Sequence, residues 1–379
     1  MTFTRPGRLE VLICGGGIAG ATLACLLARA GHHATVVEHD RTARTSGNPV
    51  DVRRPAFDIM EDLGLVSRLR DLATHVRQLV LVDETGRPIT SMPTRRSQDR
   101  EIEIPRADLT AVLVAAARAD TEFCFGDSIL ELDGDDRGVD VTFRRAAPQR
   151  FDLVVGADGV HSTVRRLMFG PEPDHLTHLG LYVATVSLPG PADHAETILM
   201  HNEPGTATAL HPGTGSPAAI FIFRSSAQID TRHTDAADQL LTDTYRTAGW
   251  RAQEFLAAYR AAPDTYFDSV SRVKIPTWTN GRVTLLGDAA SCVSLLGDGS
   301  TSAIVGAAAL ATSLDRFPQS IPAALAHYEA THRPVTARGQ RAAPFASHLL
   351  VPASATGITL RNRALRLAHG ISPMSRSWR

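Results

Sequence analysis

The sequence predicts an α/β fold: a Rossmann-type body, a mixed β-sheet inserted into it, and a C-terminal helix. Three observations carry this. Residues Arg8–Asp40, RLEVLICGGGIAGATLACLLARAGHHATVVEHD, run from an apolar strand through a glycine-rich turn into a helix and out to a second strand. Two later runs, FDLVVGADG (Phe151–Gly159) and RVTLLGDAA (Arg282–Ala290), repeat the texture of a buried strand with a glycine exit. Between about His175 and Val273 the texture changes to alternating β-like runs broken by turn-rich pieces.

LEVLIC reads as a fully buried strand, IAGATLACLLARAG as a helix ended by Gly31, and ATVVE as a second strand. The β-α-β order predicts a parallel pair with a right-handed crossover. Residues Asp51–Leu65 carry helical spacing that ends near Gly64, and Ile104–Ala119 predict a further helix starting near Pro105 or Asp108. FCFGDSILELDGDDRGVDVTF reads as strands joined by DGDDRG. GLYVATVSL, ETILMHN, ATALH and AAIFIFRS are the strands of the inserted mixed or antiparallel sheet. AADQLLTDTYRTAGWRAQEFLAAY reads as a helical stretch after it. Beyond Glu329 the chain holds eight arginines and no acid, with one expected helix, GITLRNRALRLAHG, docked on an acidic body.

At 379 residues the chain can bury a large core and hold two domains. A net charge of −1 gives no global attraction to nucleic acid or anionic membrane, so neither is an expected partner. No apolar run is long enough to cross a bilayer, and the polar start MTFTRPGRLE does not read as a signal peptide. Cys14, Cys25, Cys124 and Cys292 have no metal-ligand spacing, which fits free thiols in a reducing cytoplasm and predicts no metal.

GGGIAG fits G-x-G-x-x-G with Gly15, Gly17 and Gly20, while Ile18 and Ala19 open the helix. Gly15 permits the tight turn, Gly17 lets the backbone approach a pyrophosphate, and Gly20 lets helix pack on strand. The helix N-terminus then offers free N–H groups to phosphates. Glu38 ends the next strand, 18 residues after Gly20, where a carboxylate accepts a ribose hydroxyl. That acid disfavours a 2′-phosphate at this site, so NADP is not the dinucleotide bound here. NAD and FAD both remain open on this motif.

Two more motifs follow in order. DLVVGADGVHSTVRR contains Asp158-Gly159, Ser162 and Arg165 as D-G-x-x-S-x-x-R, and RVTLLGDAA contains Gly287-Asp288 after a strand. Together with the N-terminal fingerprint they resemble the group A flavin-dependent monooxygenases, the family of para-hydroxybenzoate hydroxylase and the tetracycline-inactivating flavin monooxygenases. The resemblance covers nearly the whole chain except the sheet near 175–273. It implies that Gly15, Gly17 and Gly20, with Ile18 and Ala19, hold the FAD pyrophosphate and that Glu38 holds the adenosine ribose. Asp51 and Arg53 match positions close to the flavin, and Arg106 matches an arginine that contacts FAD. Asp158 would lie near the pyrophosphate and the approach of the nicotinamide donor. Asp288 would bind the ribityl chain, and Gly297 and Gly299 would bring backbone N–H groups to the isoalloxazine ring. Local alternatives stand beside these. Arg53 could be a surface charge, Arg106 a local cap, and Asp158 and Asp288 turn-formers.

The resemblance implies FAD as cofactor, NADPH or NADH as transient electron donor, and O2 as co-substrate. Reduced flavin would form a C4a-hydroperoxide that oxygenates an aromatic or polyketide-like small molecule. It divides the chain into FAD-binding segments 1–75, 101–174 and 274–345, substrate-domain segments 76–100 and 175–273, and a C-terminal helical segment 346–379. The loop SCVSLLGDG lacks the prolines common in the family, and His39 stands where relatives often carry arginine. A same-fold FAD-dependent reductase or dehydrogenase without oxygen insertion is the alternative. A halogenase lacks its Trp-x-Trp-x-Ile-Pro signature here, and a non-catalytic FAD protein would not consume NAD(P)H. No catalytic residue is assigned: His201, His211 and Arg224 are the polar candidates near the inserted sheet, and a lone histidine there reads first as structural.

Overall fold

The computed structural model describes residues 8–41, 48–94, 100–229, 231, 234–295 and 298–369. A six-stranded sheet lies at its centre. In spatial order the strands are Thr279–Asn280, Val283–Leu285, Leu153–Gly156, Glu10–Cys14, His33–Glu38 and Thr121–Phe125. All neighbours are parallel except the Thr279–Asn280 edge. Parallel sheets are covered on both faces, so the central strands are continuous apolar runs: Val11, Leu12, Ile13, Leu153, Val154 and Val155 are fully buried. Helix Ile18–Arg29 packs between helices Arg106–Ala117 and Gly299–Arg316. An antiparallel meander, Ile129–Gly134, Val139–Phe143 and Gln149–Phe151, returns the chain from the sheet edge to its centre.

The second sheet has seven strands: Thr265–Val273, Leu176–Ser187, Ala218–Arg224, Thr206–His211, Thr197–Glu203, Gln78–Val82 and Pro88–Pro93. It is mixed, because Thr197–Glu203 runs parallel to Gln78–Val82 while every other pair is antiparallel. Side-chain alternation gives it two apolar faces. On one, Tyr182, Phe221 and Phe223 pack under helices Thr234–Tyr245 and Ala252–Ala261. On the other, Leu181, Val183, Ala207 and Ile222 meet Leu350 and Val351.

Several elements differ from the sequence expectation. Residues 51–65 are not one helix: Pro49–Val52 is a strand and the helix is Ala56–Asp62, because Pro55 interrupts the pattern. Ile104 likewise ends a strand, Ile102–Pro105, and the helix starts at Arg106. The stretch after the inserted sheet breaks into two helices at Gly249 and Trp250. A 30-residue helix, Ile321–Leu350, runs through Pro334 and Pro344, which the sequence pattern concealed. The C-terminal helix Ala355–His369 docks on the seven-stranded sheet, though not on an acidic surface. Arg361 donates to Asn202 Oδ1 and the Leu349 carbonyl, and Arg366 to the Ile89 carbonyl. No helix among the described residues is long and apolar enough to cross a membrane, and all four cysteines are free thiols.

The seam between helices Gly299–Arg316 and Ile321–Leu350 has a titratable core. A Cβ on Gly306 would stand 2.7 Å from His332 Nε2, so only glycine leaves room for that ring. His332 is buried, stacks on Tyr328 and lies against Trp278. Burial holds the imidazole neutral and pushes its pKa down to about 4. A histidine kept neutral in the fold but protonatable when unfolded stabilises fully above pH 6.5 and progressively less as pH falls toward 4. His332→Gln is expected to flatten that fall by roughly 3 kcal/mol, read from urea unfolding across the window. An unchanged slope would assign the acid sensitivity to other groups.

Candidate cofactor and active site

The N-terminal turn is shaped by backbone contact. Gly15 has φ +106°, and a side chain on it would start inside the Ala157 backbone and 2.9 Å from Asp158 Cα. A Cβ on Gly20 would overlap the Gly15 carbonyl oxygen and stand 3.0 Å from Ile13 Cγ2, so glycine sets how closely the helix sits on its strand. Gly17 is different: no atom lies within 4 Å of its Cβ position, and its face is open. It is the N-cap of helix Ile18–Arg29, whose first turn receives no side-chain cap. Those N–H groups are free to meet an anion. Ile18 points into the core, and Ala19 touches the third motif, with its Cβ 2.9 Å from the point where a Gly287 side chain would begin.

A cavity of about 420 Å³ opens over this turn. Of the sequence-predicted residues it brings together Gly15, Gly17, Glu38, Arg106 and Asp158. Glu38 is fixed by the Gly16 N–H at 2.8 Å and the Asp40 N–H at 3.0 Å, with His39 Nδ1 at 3.1 Å. Asp158 accepts from Ser162 Oγ, from Thr163 N at 2.7 Å and from Val164 N at 3.1 Å, and so caps helix Thr163–Phe169 while its burial pushes the carboxyl up. Arg165, the last member of the second motif, is fully buried. It donates to the Val160 carbonyl at 2.5 Å and the Ala289 carbonyl at 3.1 Å, and so bolts the second motif to the third. Phe125, Asp127, Ser128 and His161 also line the cavity. Sequence reasoning missed them, because only the parallel pairing of strand Thr121–Phe125 with strand His33–Glu38 brings the first three beside the fingerprint.

A second cluster forms where strand Pro49–Val52 meets helix Gly299–Arg316. Arg53 donates to Asp51 at 2.7 Å, Glu101 at 2.5 Å and Asp298 at 2.7 Å. Ser300 and Thr301 hydroxyls donate to the Asp51 carbonyl at 2.6 and 3.1 Å, and Arg53 N–H donates back to Thr301 Oγ1 at 3.1 Å. Burial raises the Asp51 carboxyl to about 6 against the pull of Arg53, with Glu103, Glu101 and Asp298 adding to the rise. Asp288 opens the short helix Asp288–Ser291, its Oδ1 3.9 Å from the Cβ position of Gly299. Gly297 lies outside the described residues.

Tyr266 joins the two groups. This half-buried residue of the inserted sheet's edge strand has its phenol raised by burial, with Asp268, Arg106 and Asp288 all near enough to act on it. It belongs to no motif, so nothing in the sequence marked it. Of the three polar candidates, His201 faces the helix layer, its ring 6.2 Å from Trp250, and Arg224 is held by the Val351 and Ser347 carbonyls. Only His211 reaches toward the Asp51 cluster, with Nε2 2.7 Å from Glu103 Oε1.

The family model described as FAD binding domain matches residues 8–343. The chain belongs to the FAD-binding-domain family of flavin-dependent monooxygenases. A Legionella longbeachae flavin-dependent monooxygenase is 31% identical, over 86% of this chain and 85% of its own. A Mycobacterium tuberculosis protein without an assigned activity is 36% identical, over 87% and 91%. The crystal structure of tetracycline destructase Tet(55) superposes with a TM-score of 0.83 at 27% identity, covering 98% of this chain and all of that one. The cradle suits the cofactor of the flavin-dependent monooxygenases: an open glycine face and an uncapped helix start suit a pyrophosphate, and the Glu38 carboxylate suits a ribose.

These contacts separate the roles of the glycines. Gly17→Ala puts a methyl only into the open face, so it should keep its unfolding midpoint while FAD affinity falls about tenfold or more. Gly20→Ala forces helix and strand apart and should lose both affinity and about 1–3 kcal/mol of stability. Titration of apo-protein with FAD, beside urea unfolding, separates the two. Full FAD affinity in Gly17→Ala would show that nothing approaches that face.

Proposed function

We propose that this chain is an NAD(P)H- and O2-dependent FAD monooxygenase that oxygenates an aromatic or polyketide-like small molecule. The observation that carries the reading is the single cavity in which Gly15, Gly17, Glu38, Arg106 and Asp158 converge. Bound FAD supplies acceptance of electrons from the donor and activation of O2. The roles proposed for the chain's residues follow their positions. Gly15, Gly17 and Gly20, with Ile18 and Ala19, cradle the pyrophosphate, and Glu38 accepts from the adenosine ribose. Asp158 fixes the loop at the pyrophosphate, Asp288 accepts from the ribityl chain, and Arg106 contacts the cofactor beside Tyr266. Asp51, Arg53 and Gly299 border the ring.

In this reading segments 1–75, 101–174 and 274–345 hold FAD. Segments 76–100 and 175–273 form the substrate domain, and segment 346–379 is the C-terminal helical segment, whose Leu350 and Val351 meet the inner face of the inserted sheet. Substrate would lie between the ring and the inner face of the inserted sheet, where Val183, Ile220 and Ile222 give an apolar wall. Such a wall selects apolar, flat molecules and excludes water that would divert the oxygen chemistry. His211 pins that wall. Its Nδ1 accepts from the Gly213 N–H at 3.0 Å, so its proton sits on Nε2 and is donated to Glu103. Glu103 pairs across the strands with Asp51, which joins the wall to the ring-side cluster. The likeness to a tetracycline destructase supports a polycyclic substrate.

The test is turnover under isotopically labelled O2 with NADPH or NADH and a panel of polycyclic phenols that includes a tetracycline. Substrate-stimulated donor oxidation with one labelled atom in the product is expected. Flavin reduction followed only by hydrogen peroxide, with unlabelled product from every substrate consumed, would replace the reading with a reductase or dehydrogenase.

A further inference from the structure

A second cavity, of about 430 Å³, adjoins the first and shares His39, Asp127, Ser128, Ile129 and Thr163 with it. Its distinguishing feature is charge. Arg41, Arg144, Arg145 and Arg166 line it, against one acid, Asp127. The single charge of Asp127 offsets only one of the four, with Arg145 the cation that acts on it. Its carboxylate already accepts the N–H groups of Ser128 at 2.8 Å, Arg145 at 3.0 Å and Ala146 at 2.9 Å. Among the described residues none of the four guanidiniums forms an ion pair with a carboxylate. Two of them converge over Gly126, whose φ is +75°. The point where a side chain would start there lies 3.5 Å from Arg41 Cγ and 3.6 Å from Arg145 Nη1. The chain as a whole carries a net charge of only −1, so this concentration of positive charge is local.

We propose that this arginine-lined hollow binds the 2′-phosphate of NADPH and so sets the electron-donor preference. Four guanidiniums around one hollow repel each other until a dianion enters, and the planar guanidinium pairs with phosphate oxygens two at a time. The first cavity cannot serve, because Glu38 places a carboxylate where the ribose of the resident dinucleotide sits. The two cavities therefore divide the labour by charge: an acid holds the cofactor without a 2′-phosphate, and arginines on the far side of their shared wall hold the donor with one. None of the arginines lies in the fingerprint. They come from the strand-exit loop at Arg41, the meander at Arg144 and Arg145, and the helix of the second motif at Arg166. The inference rests on a pyridine nucleotide being the donor, as proposed above.

The FAD-loaded enzyme should be titrated calorimetrically with 2′,5′-ADP, 5′-AMP and inorganic phosphate. Binding of 2′,5′-ADP at least about tenfold tighter than either other ligand is expected, weakening with salt. Arg145→Gln/Arg166→Gln should bring 2′,5′-ADP to the level of 5′-AMP and collapse the ratio of kcat/KM for NADPH over NADH, with Arg145→Lys retaining part of both. Equal binding of 2′,5′-ADP and 5′-AMP by the unmodified enzyme would overturn the proposal, and so would inorganic phosphate binding as tightly as 2′,5′-ADP. An unmoved donor ratio in the double variant would overturn it as well. Should neither nucleotide reduce the flavin, the donor reading fails by itself, and the 2′,5′-ADP titration still decides the anion site.

Discussion

The fold depends on one constraint: backbone must touch backbone where the first strand turns into the first helix. Gly15 lies against the Ala157–Asp158 backbone, Gly20 against the Gly15 carbonyl, and Gly287 against Ala19. Each of the three motifs supplies one side of this knot. Arg165 then ties the second motif to the third through the Ala289 carbonyl. A methyl group at Gly15 or Gly20 would displace the exits of neighbouring parallel strands, and the cavity is the space those exits enclose. Its shape is therefore set by packing with no tolerance, while Gly17 keeps its open face.

Around that knot, charge is partitioned with some care. Glu38 and Asp158 are satisfied by backbone N–H groups, so they stay ordered without cationic partners. Beside the knot Arg53 faces three carboxylates and fixes strand Pro49–Val52 to the start of helix Gly299–Arg316. The slim N-terminal half of that helix, GSTSAIVGAAALA, has a double use. Its hydroxyls hold the Asp51 carbonyl, and its small residues let helices Ile18–Arg29 and Ile321–Leu350 close on either side. Gly306 beneath His332 is the tightest such contact.

Polar contacts join the inserted sheet to this body, beside the apolar packing of Leu350 and Val351 on its inner face. His211 reaches Glu103, Thr185 reaches Asn48 at 2.7 Å, and Asp268 faces His161 at 3.5 Å. Held between Glu172 and Asp268, His161 has its imidazole raised, chiefly by the hydrogen bond to Asp268. A rigid cofactor body and an apolar wall pinned by a few hydrogen bonds leave the wall free to vary between relatives while the knot stays fixed.

Local chemistry determined the fold class, the three motifs and the strands that flank them, but not strands such as Pro49–Val52 or Thr265–Val273. Glycine patterns, buried-strand runs and period-two alternation are short-range signals that the residues carry themselves. The same signals ran one helix back through Pro55 over the strand Pro49–Val52, and they hid the helix through Pro334 and Pro344, where tertiary packing overrides local propensity. The sequence also named Glu38, Arg106 and Asp158, from motifs spread over 120 residues, without showing that they share a cavity. Only the tertiary structure decided what stands beside them. Tyr266, Phe125 and the arginines at 41, 144, 145 and 166 lie in no motif, and their meeting depends on the crossover of the meander and the edge of the inserted sheet. Long-range strand order is set by burial of the whole core, and no window of sequence contains it.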